Sequence, residues 1–573
     1  MSQLRIALGQ HTEPGRKARN QDCHGCRVPP GPQIGLKGIA LAMADGISSS
    51  EVSQVASETA VKSLLDDYYA TSEAWSVRHA VECVLTATNA WLHAQSRRGP
   101  HRYAPDKGYV CTFSALVFKA TTAHLFHVGD TRIYRLHGGG LEPLTHDHRL
   151  WVSQEESYLS RALGADALVE IDYRTLPLQV GDTFLLATDG VYEHIEAQDI
   201  LHTIEVHRGD LDEAARRIVA QAYRQGSADN LSVQIVRIEA LPRREVPSSL
   251  HGEVERLPFP PLLEPHDRFD GYRILRELHA SSRSHVYLAL DETDGSRVAL
   301  KTPSLDLRDD PGYLERLLME EWIARRIDNR HVLDAGPPDR ERRYLYTVTA
   351  FIEGQTLAQW LNDHPTPDLE TVRGIVEQVA RGLQALHRHE VLHQDLRPEN
   401  LMIDANGTVT LIDLGSARVA GIVESATTLE PPALPGTALY MAPEYFLGEV
   451  GTTRSDLYSL GVLTYRMLSG RYPYATRVAR TRTAATQRRL TYRSVLDEER
   501  AIPAWIDATL KKAVHPNPEK RYQELSEFLH DLRRPNPAYL ERTRPPLIER
   551  HPVAFWQGVS AILAVLLLLA LQR

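Results

Sequence analysis

Three hydrophobic patterns follow one another along the chain. Up to about residue 240, short continuous apolar runs alternate with stretches of helical period. The runs are IALAMA (Ile39 to Ala44), SALVF (Ser114 to Phe118) and TFLLAT (Thr183 to Thr188), and Glu51 to Tyr68 carries the helical period. A short apolar run bounded by polar turns predicts a strand buried on both faces, whereas an apolar stripe every three to four residues predicts an amphipathic helix. Residues 1–240 are therefore expected to form one α+β domain. Residues 241–269 are rich in proline and charge, lack sustained period, and read as an extended linker. From 270 to 534 a second globular pattern opens with strands and closes with helices. A second proline-rich linker, 535–552, leads to an almost wholly apolar run, Val553 to Leu571. This run approaches the ~20 residues that cross a bilayer. Trp556 sits where an interfacial ring would, and Arg542, Arg544 and Arg550 lie upstream. A single transmembrane helix over 553–571 is expected, making a single-pass membrane protein with both globular domains cytoplasmic.

Composition narrows the classes. At 573 residues, 42% hydrophobic and 24% charged, the chain exceeds one core and is not disordered. A net charge of -9 gives no electrostatic reason for a nucleic-acid partner. Four cysteines make no disulfide framework, so a reducing compartment is expected. Cys23 and Cys26 form a C-x-x-C with no second ligand pair, which reads as two ordinary thiols. The first residues lack an apolar run behind a basic start, so no signal peptide is expected.

Aspartates recur at the ends of apolar strands or beside glycine in the first domain: Asp22 in RNQD, Asp45-Gly46, Asp130 in HVGDTRIY, Asp189-Gly190, and Asp229 in SADNLSV. Carboxylates just beyond buried strands are rigidly held and oxygen-rich, which suits Mg²⁺ or Mn²⁺. In this order, with LSRALG between them, the motifs resemble the PPM-type (type 2C) metal-dependent protein phosphatases over nearly all of residues 1–240. The resemblance implies an αββα sandwich with a two-metal centre that activates water for in-line attack on phosphorus. It places Asp45 between both metals, with the Gly46 carbonyl on one. Asp189 and Asp229 would complete one shell, Asp22 would stand in or behind it, and Asp130 would help hold a weaker third ion. One departure stands out. The family's phosphate-binding arginine is Lys17 here, with Arg16 and Arg19 as neighbours, and an ammonium lacks the bidentate fork of a guanidinium.

The second domain contains VALK (Val298 to Lys301), HQDLRPEN (His393 to Asn400), DLG (Asp413 to Gly415) and APE (Ala442 to Glu444). Their order and spacing resemble a serine/threonine protein kinase across 270–534, implying a bilobal fold that uses ATP and Mg²⁺. The resemblance gives Lys301 the nucleotide phosphates and an ion pair with Glu320, with Glu321 adjacent. Asp395 would accept the substrate hydroxyl proton, and Asn400 and Asp413 would hold Mg²⁺. Leu278 and Val286 would cover the nucleotide, Thr349 would be the gatekeeper, and Ala350 to Ile352 would bond adenine. Glu444 with Arg521 and Asp456 would brace the lower lobe, and Arg397 would reach the γ-phosphate. Two departures follow. The three glycine positions of the phosphate loop are His279, Ser281 and Ser284, and Gln394 replaces the arginine that meets an activation-segment phosphate. The combined expectation is a bifunctional signalling enzyme acting on Ser/Thr and phospho-Ser/Thr of proteins, alternatively a phosphatase governed by a nucleotide-binding pseudokinase scaffold. Self-phosphorylation at Ser425, Thr427 and Thr428, with removal by the first domain across the linker, is also expected.

Overall fold

The computed structural model describes residues 3–98, 104, 107–151, 157–242, 257–280, 284–304, 310–336, 340, 342–424, 438–496, 502–536, 540 and 556–563. The first domain is a four-layer sandwich. One five-stranded sheet orders Arg5–Glu13, Leu231–Ala240, Thr183–Ala187, Arg132–His137 and Gly140–Pro143; the other orders Asp172–Pro177, Thr122–Val128, Phe113–Lys119, Ile39–Asp45 and Asp22–Arg27. Between the sheets lie Leu41, Met43, Leu116 and Phe118 from one and Phe184, Leu186, Val236 and Ile238 from the other. The alternate residues Ala40, Ala42, Ala44, Ala115 and Val117 face the helices Ser53–Ala70 and Val77–Arg98. On the opposite outer face, Leu185, Val233 and Ile235 pack on Ala197–Val206 and Leu211–Arg224. Each central strand is thus covered on both faces, which is why its sequence is a continuous apolar run rather than an alternation.

Strand periodicity also settles the C-x-x-C. Cys23 packs with the outer helical layer and Cys26 with the inter-sheet layer, so the two thiols face opposite sides. Burial pushes the Cys23 thiol up to about 11 and Cys26 to about 12, as suits inert thiols.

The second domain has two lobes. The upper sheet orders Arg268–Phe269, Tyr272–Ala280, Ser284–Asp291, Arg297–Pro303 and Thr347–Ala350, with the helix Pro311–Ala324 beside it. The lower lobe is built on Leu369–Arg388, Thr453–Ser469, Ala504–Ala513 and Leu525–Arg533, around one apolar cluster. Upstream of residue 270, Leu263 is buried in the upper-lobe core and the Pro258 carbonyl accepts from the Leu345 N–H at 2.9 Å.

The expected transmembrane helix is corrected. Among the described residues no helix is long and apolar enough to cross a membrane. Residues 556–563 are helical, and at 1.5 Å per residue they rise only about 12 Å against a hydrocarbon core of about 30 Å. Residues 564–573, the rest of the expected span, lie outside the described residues. The single-pass membrane placement inferred from that span is withdrawn with it.

Candidate active sites

In the first domain the aspartates gather at one end of the sandwich because their strands end there. Asp22 opens its strand and stands opposite Asp45, the last residue of the neighbouring strand. Thr188 Oγ1 and Ser232 Oγ donate to Asp22 Oδ2 at 3.0 and 2.7 Å. Gly46 lies hard against the start of the helix Ser53–Ala70: a Cβ there would stand 2.8 Å from the Ser53 backbone. At Gly190 a Cβ would meet the Asn230 carbonyl at 2.1 Å, so the Asp189 and Asp229 segments can approach only because this position is glycine. Asn230 ties the leading loop to this end, donating to the Pro14 and Arg19 carbonyls and accepting from the Gln21 N–H, each at 2.9 Å.

Burial raises the proton affinity of these carboxylates. Burial pushes Asp22 up to about 6, with Asp229 adding to it. Asp189 rises to about 7 through burial, Asp130 and Asp229. Asp45 is held well above the usual carboxylate range by burial and then by Asp22, Asp189, Asp130 and Asp229. Buried like charges raise one another's proton affinity until cations neutralise them. Asp22 Oδ1 and Asp189 Oδ1 are buried with no hydrogen-bond donor among the described residues. Among those residues no three Asp, Glu, His or Cys side chains close into a ready-made ligand group. The donor set is carboxylate oxygen, which fits a hard divalent cation such as Mg²⁺ or Mn²⁺.

Two cations of the chain itself already sit among the carboxylates. Lys17 Nζ bonds Asp229, and also donates to Ser48 Oγ at 2.5 Å. Arg149 spans three acids: Nε to Asp130 Oδ2 at 2.6 Å, one terminal nitrogen to Asp189 Oδ2 at 2.9 Å, and the other to Glu193 Oε1 at 2.8 Å. Sequence reasoning missed Arg149, looking for the missing guanidinium beside Lys17. Of those neighbours, Arg16 instead stacks over the Tyr223 ring at 5.4 Å. The one signal for Arg149 was its place just after the polar THDH turn, 19 residues beyond Asp130 in sequence.

In the second domain Lys301 lies in register with Val286 on one neighbouring strand and Thr347 on the other. Leu278 sits at a register shift between Glu277 and His279, opposite Val286 and Tyr287. Lys301 Nζ stands 2.7 Å from Glu320 Oε2 and 3.7 Å from Asp413 Oδ1. Burial opposes the charge on Lys301, but Glu320 and Asp413 outweigh it and hold the ammonium well above its ordinary range. Glu321 turns away, to Arg325 and Arg342. Asn400 Nδ2 donates to the Asp395 carbonyl at 2.9 Å and to its Oδ2 at 3.0 Å, and Arg397 Nε lies 3.8 Å from the same carboxylate oxygen. Asp456 accepts from the His393 and Gln394 N–H groups at 2.9 and 3.0 Å, fixing the loop that carries Asp395. Asp413 and Gln394 both hold left-handed backbone, φ 61° and 66°, the kind of strain a surrounding framework must maintain. The Ala350 N–H donates to the Asp334 carbonyl at 3.0 Å, which leaves its carbonyl rather than its N–H facing any ligand at the expected hinge. Ser281 lies outside the described residues, as do Ser425, Thr427 and Thr428.

Comparison with known proteins identifies both domains. Residues 13–233 match the family described as protein phosphatase 2C, and residues 272–532 match the protein kinase domain. The serine/threonine-protein kinase PknA of Corynebacterium glutamicum is 33% identical over 208 residues, covering 35% of this chain and 44% of that protein. PknL of Mycobacterium tuberculosis is 30% identical over 265 residues, covering 46% of this chain and 64% of that protein. The chain thus spans less than two thirds of these relatives. The manganese-bound catalytic domain of the phosphatase PstP is 24% identical, covering 41% of this chain and 99% of that one, at a TM-score of 0.35. The chain joins a protein phosphatase 2C domain to a protein kinase domain of the serine/threonine type.

Proposed function

We propose that the chain is a bifunctional signalling enzyme, an ATP-dependent kinase and a metal-dependent phosphatase for Ser/Thr side chains of proteins. The observation that supports it best is a pairing within one chain: Lys301 held between Glu320 and Asp413, and a buried acidic cluster with orphaned acceptors. In the phosphatase half, Asp22, Asp45, Asp189, Asp229 and the Gly46 carbonyl would hold Mn²⁺ or Mg²⁺, with Asp130 for a further, weaker ion. A cation bound there supplies Lewis acidity toward the phosphoryl oxygens. Lys17 and Arg149, displaced from their carboxylates, are the groups placed to grip a substrate phosphate. The planar fork of Arg149 supplies the bidentate geometry that Lys17 lacks.

In the kinase half, Leu278 and Val286 cover the nucleotide, and the hinge at Ala350 and Ile352 takes the purine. Lys301 would orient the phosphates, and Asn400 and Asp413 would hold Mg²⁺. Asp395, oriented by Asn400, accepts the hydroxyl proton of the substrate. Ser425, Thr427 and Thr428 are proposed as sites of self-phosphorylation. A second reading, a pseudokinase scaffold, is favoured by His279 standing in strand register with Val286 where a glycine would let the backbone close on phosphate.

The test is twofold. Phosphate incorporation into the full chain from labelled Mg·ATP should occur and vanish in Asp395→Asn; incorporation unchanged by that substitution, or none at all, favours the scaffold. Hydrolysis of a phosphothreonine peptide should need Mn²⁺ or Mg²⁺ and collapse in Asp45→Ala. Full hydrolysis in EDTA rules the metal mechanism out.

A further inference from the structure

The phosphatase domain is seated on the kinase at the two elements whose placement decides whether a kinase works. Its contact surface is the loop between the helices Ser53–Ala70 and Val77–Arg98, together with Lys119 at a strand end. On the kinase side, Arg326, two residues past the helix Pro311–Ala324 that carries Glu320, donates to Glu73 at 2.6 Å. Just beyond DLG, the short strand Arg418–Val419 pairs with Val391–Leu392 and leads into the helical turn Ala420–Val423. The Gly421 N–H donates to the Ala74 carbonyl at 2.9 Å, and the Gly421 carbonyl accepts from Lys119 Nζ at 2.5 Å. A Cβ on Gly421 would stand 2.5 to 2.9 Å from the Glu73, Ala74 and Trp75 carbonyls, so the backbones meet with no room for a side chain.

The fit is polar, specific and buried. Lys119 is 1% exposed, and its hydrogen bonds among the described residues both go to the kinase, to Gly421 and to Glu424 at 3.4 Å. An undocked phosphatase domain would leave that ammonium in water, and a docked one without Glu424 would bury it unpaired. The kinase also caps a phosphatase helix: Glu390 accepts from the Ser76 N–H at 2.6 Å and Glu424 from the Val77 N–H at 2.9 Å, placing two carboxylates at the positive end of Val77–Arg98. Trp75 donates its indole N–H to the Arg388 carbonyl at 2.9 Å. Ala74, 2% exposed, belongs to the apolar cluster of the kinase. Inside the phosphatase domain, Lys37 holds the loop from behind through Thr71 Oγ1 and the Ser72 carbonyl at 2.7 and 2.8 Å.

We infer that the docked phosphatase domain is a brace that keeps the kinase in its working arrangement, doing by contact what activation-segment phosphorylation cannot do here. Gln394 stands where an arginine would receive an activation-segment phosphate, so a phosphate there has lost its main partner. The brace holds the base of the same segment at Gly421 and Glu424, and the far end of the Glu320 helix at Arg326, while the Lys301–Glu320 pair is closed. The inference rests on the kinase reading above.

The experiment uses the full chain carrying Lys119→Glu, Glu424→Lys, or both exchanges together. Phosphotransfer to a Ser/Thr peptide, phosphopeptide hydrolysis, and hydrogen exchange over residues 71–77 and 418–424 are read in each. Each single exchange should raise hydrogen exchange in both segments and lower kinase kcat/KM on the order of tenfold, a common size for coupling between sites. Hydrolysis should stay unchanged, and the double exchange, which restores the charge pair but not the bonds to the Gly421 carbonyl and from the Val77 N–H, should recover part of both protection and phosphotransfer. Unchanged or increased phosphotransfer alongside lost protection overturns the brace, and so does protection that no exchange disturbs. Wild-type protein without phosphotransfer sinks the kinase reading itself; a working kinase indifferent to the exchanges sinks only the brace.

Discussion

At the scale of single residues, the phosphatase cleft is an arrangement of charges awaiting compensation. Asp22, Asp45 and Asp189 are raised by burial first and then by neighbouring carboxylates, Asp229 among them for all three, and Lys17 and Arg149 supply only part of the balancing charge. Binding Mn²⁺ should therefore stabilise the domain, by about 2.7 kcal/mol at a hundredfold excess over Kd. Asp45→Asn should lose that gain while melting no lower than wild type in EDTA, because it removes a like charge rather than a partner. Thermal shift with and without Mn²⁺ reads both, and a wild-type melting point blind to Mn²⁺ would refute the cation assignment. Arg149→Lys tests the fork. A point charge keeps the attraction but not the bidentate geometry, so KM for a phosphopeptide should rise about tenfold with kcat changed far less. A wild-type KM in the Arg149→Lys protein, beside a raised KM in Arg149→Ala, would show that only charge matters.

At the scale of elements, legibility followed from how many faces a segment buries. IALAMA and TFLLAT were readable as central strands because the layers on both sides demand an unbroken apolar run. The carboxylates were readable because a strand end followed by Asp-Gly is a local signature. Arg149 was not, since its role depends on a strand returning to the cleft, and the THDH sequence before it marks a turn without saying where the strand goes. The apolar run at 553–571 misled for a related reason: hydropathy reports what a segment could bury, not the helix it forms. The docking loop at 71–77 was invisible as well, for Glu73, Ala74 and Trp75 look like any helix connection until Gly421 is set against them.

The lower lobe of the kinase offers an element-scale prediction. Arg521 meets Glu444 through two bonds of 2.7 and 2.6 Å, with side chains 0% and 4% exposed. Ser455 Oγ donates to the same carboxylate at 2.6 Å, so the pair ties the helix Thr453–Ser469 to the end of the activation segment. Removing one partner strands a buried charge, and Arg521→Met should cost about 3–5 kcal/mol in urea unfolding of the kinase transition. Adding Glu444→Gln to that variant should recover part of the loss. A single substitution costing under about 1 kcal/mol would mean water reaches the pair.

At the scale of the whole molecule, the docking decides which phosphates the phosphatase domain can reach. Lys119, bound to Gly421, closes the strand whose Phe118 pairs with Ile39, and Asp45 is the far end of that neighbouring strand. Six residues at about 3.4 Å each set the acidic cleft about 20 Å from the contact with the kinase, at the opposite end of the sandwich. While the domains stay docked, the cleft faces away from Gly421 and Glu424 of its own chain. The length of the linker between the domains does not relax this, because the contact itself fixes the orientation. Removal of phosphate from Ser425, Thr427 or Thr428 is accordingly expected between molecules. Asp45→Asn protein, labelled by its own kinase, should lose label at a rate proportional to added Asp395→Asn protein, whose phosphatase cleft is intact. Wild-type protein chased with unlabelled ATP should lose label more slowly on dilution. Loss at a rate independent of concentration would place the reaction within one chain and show that the two domains part during the catalytic cycle.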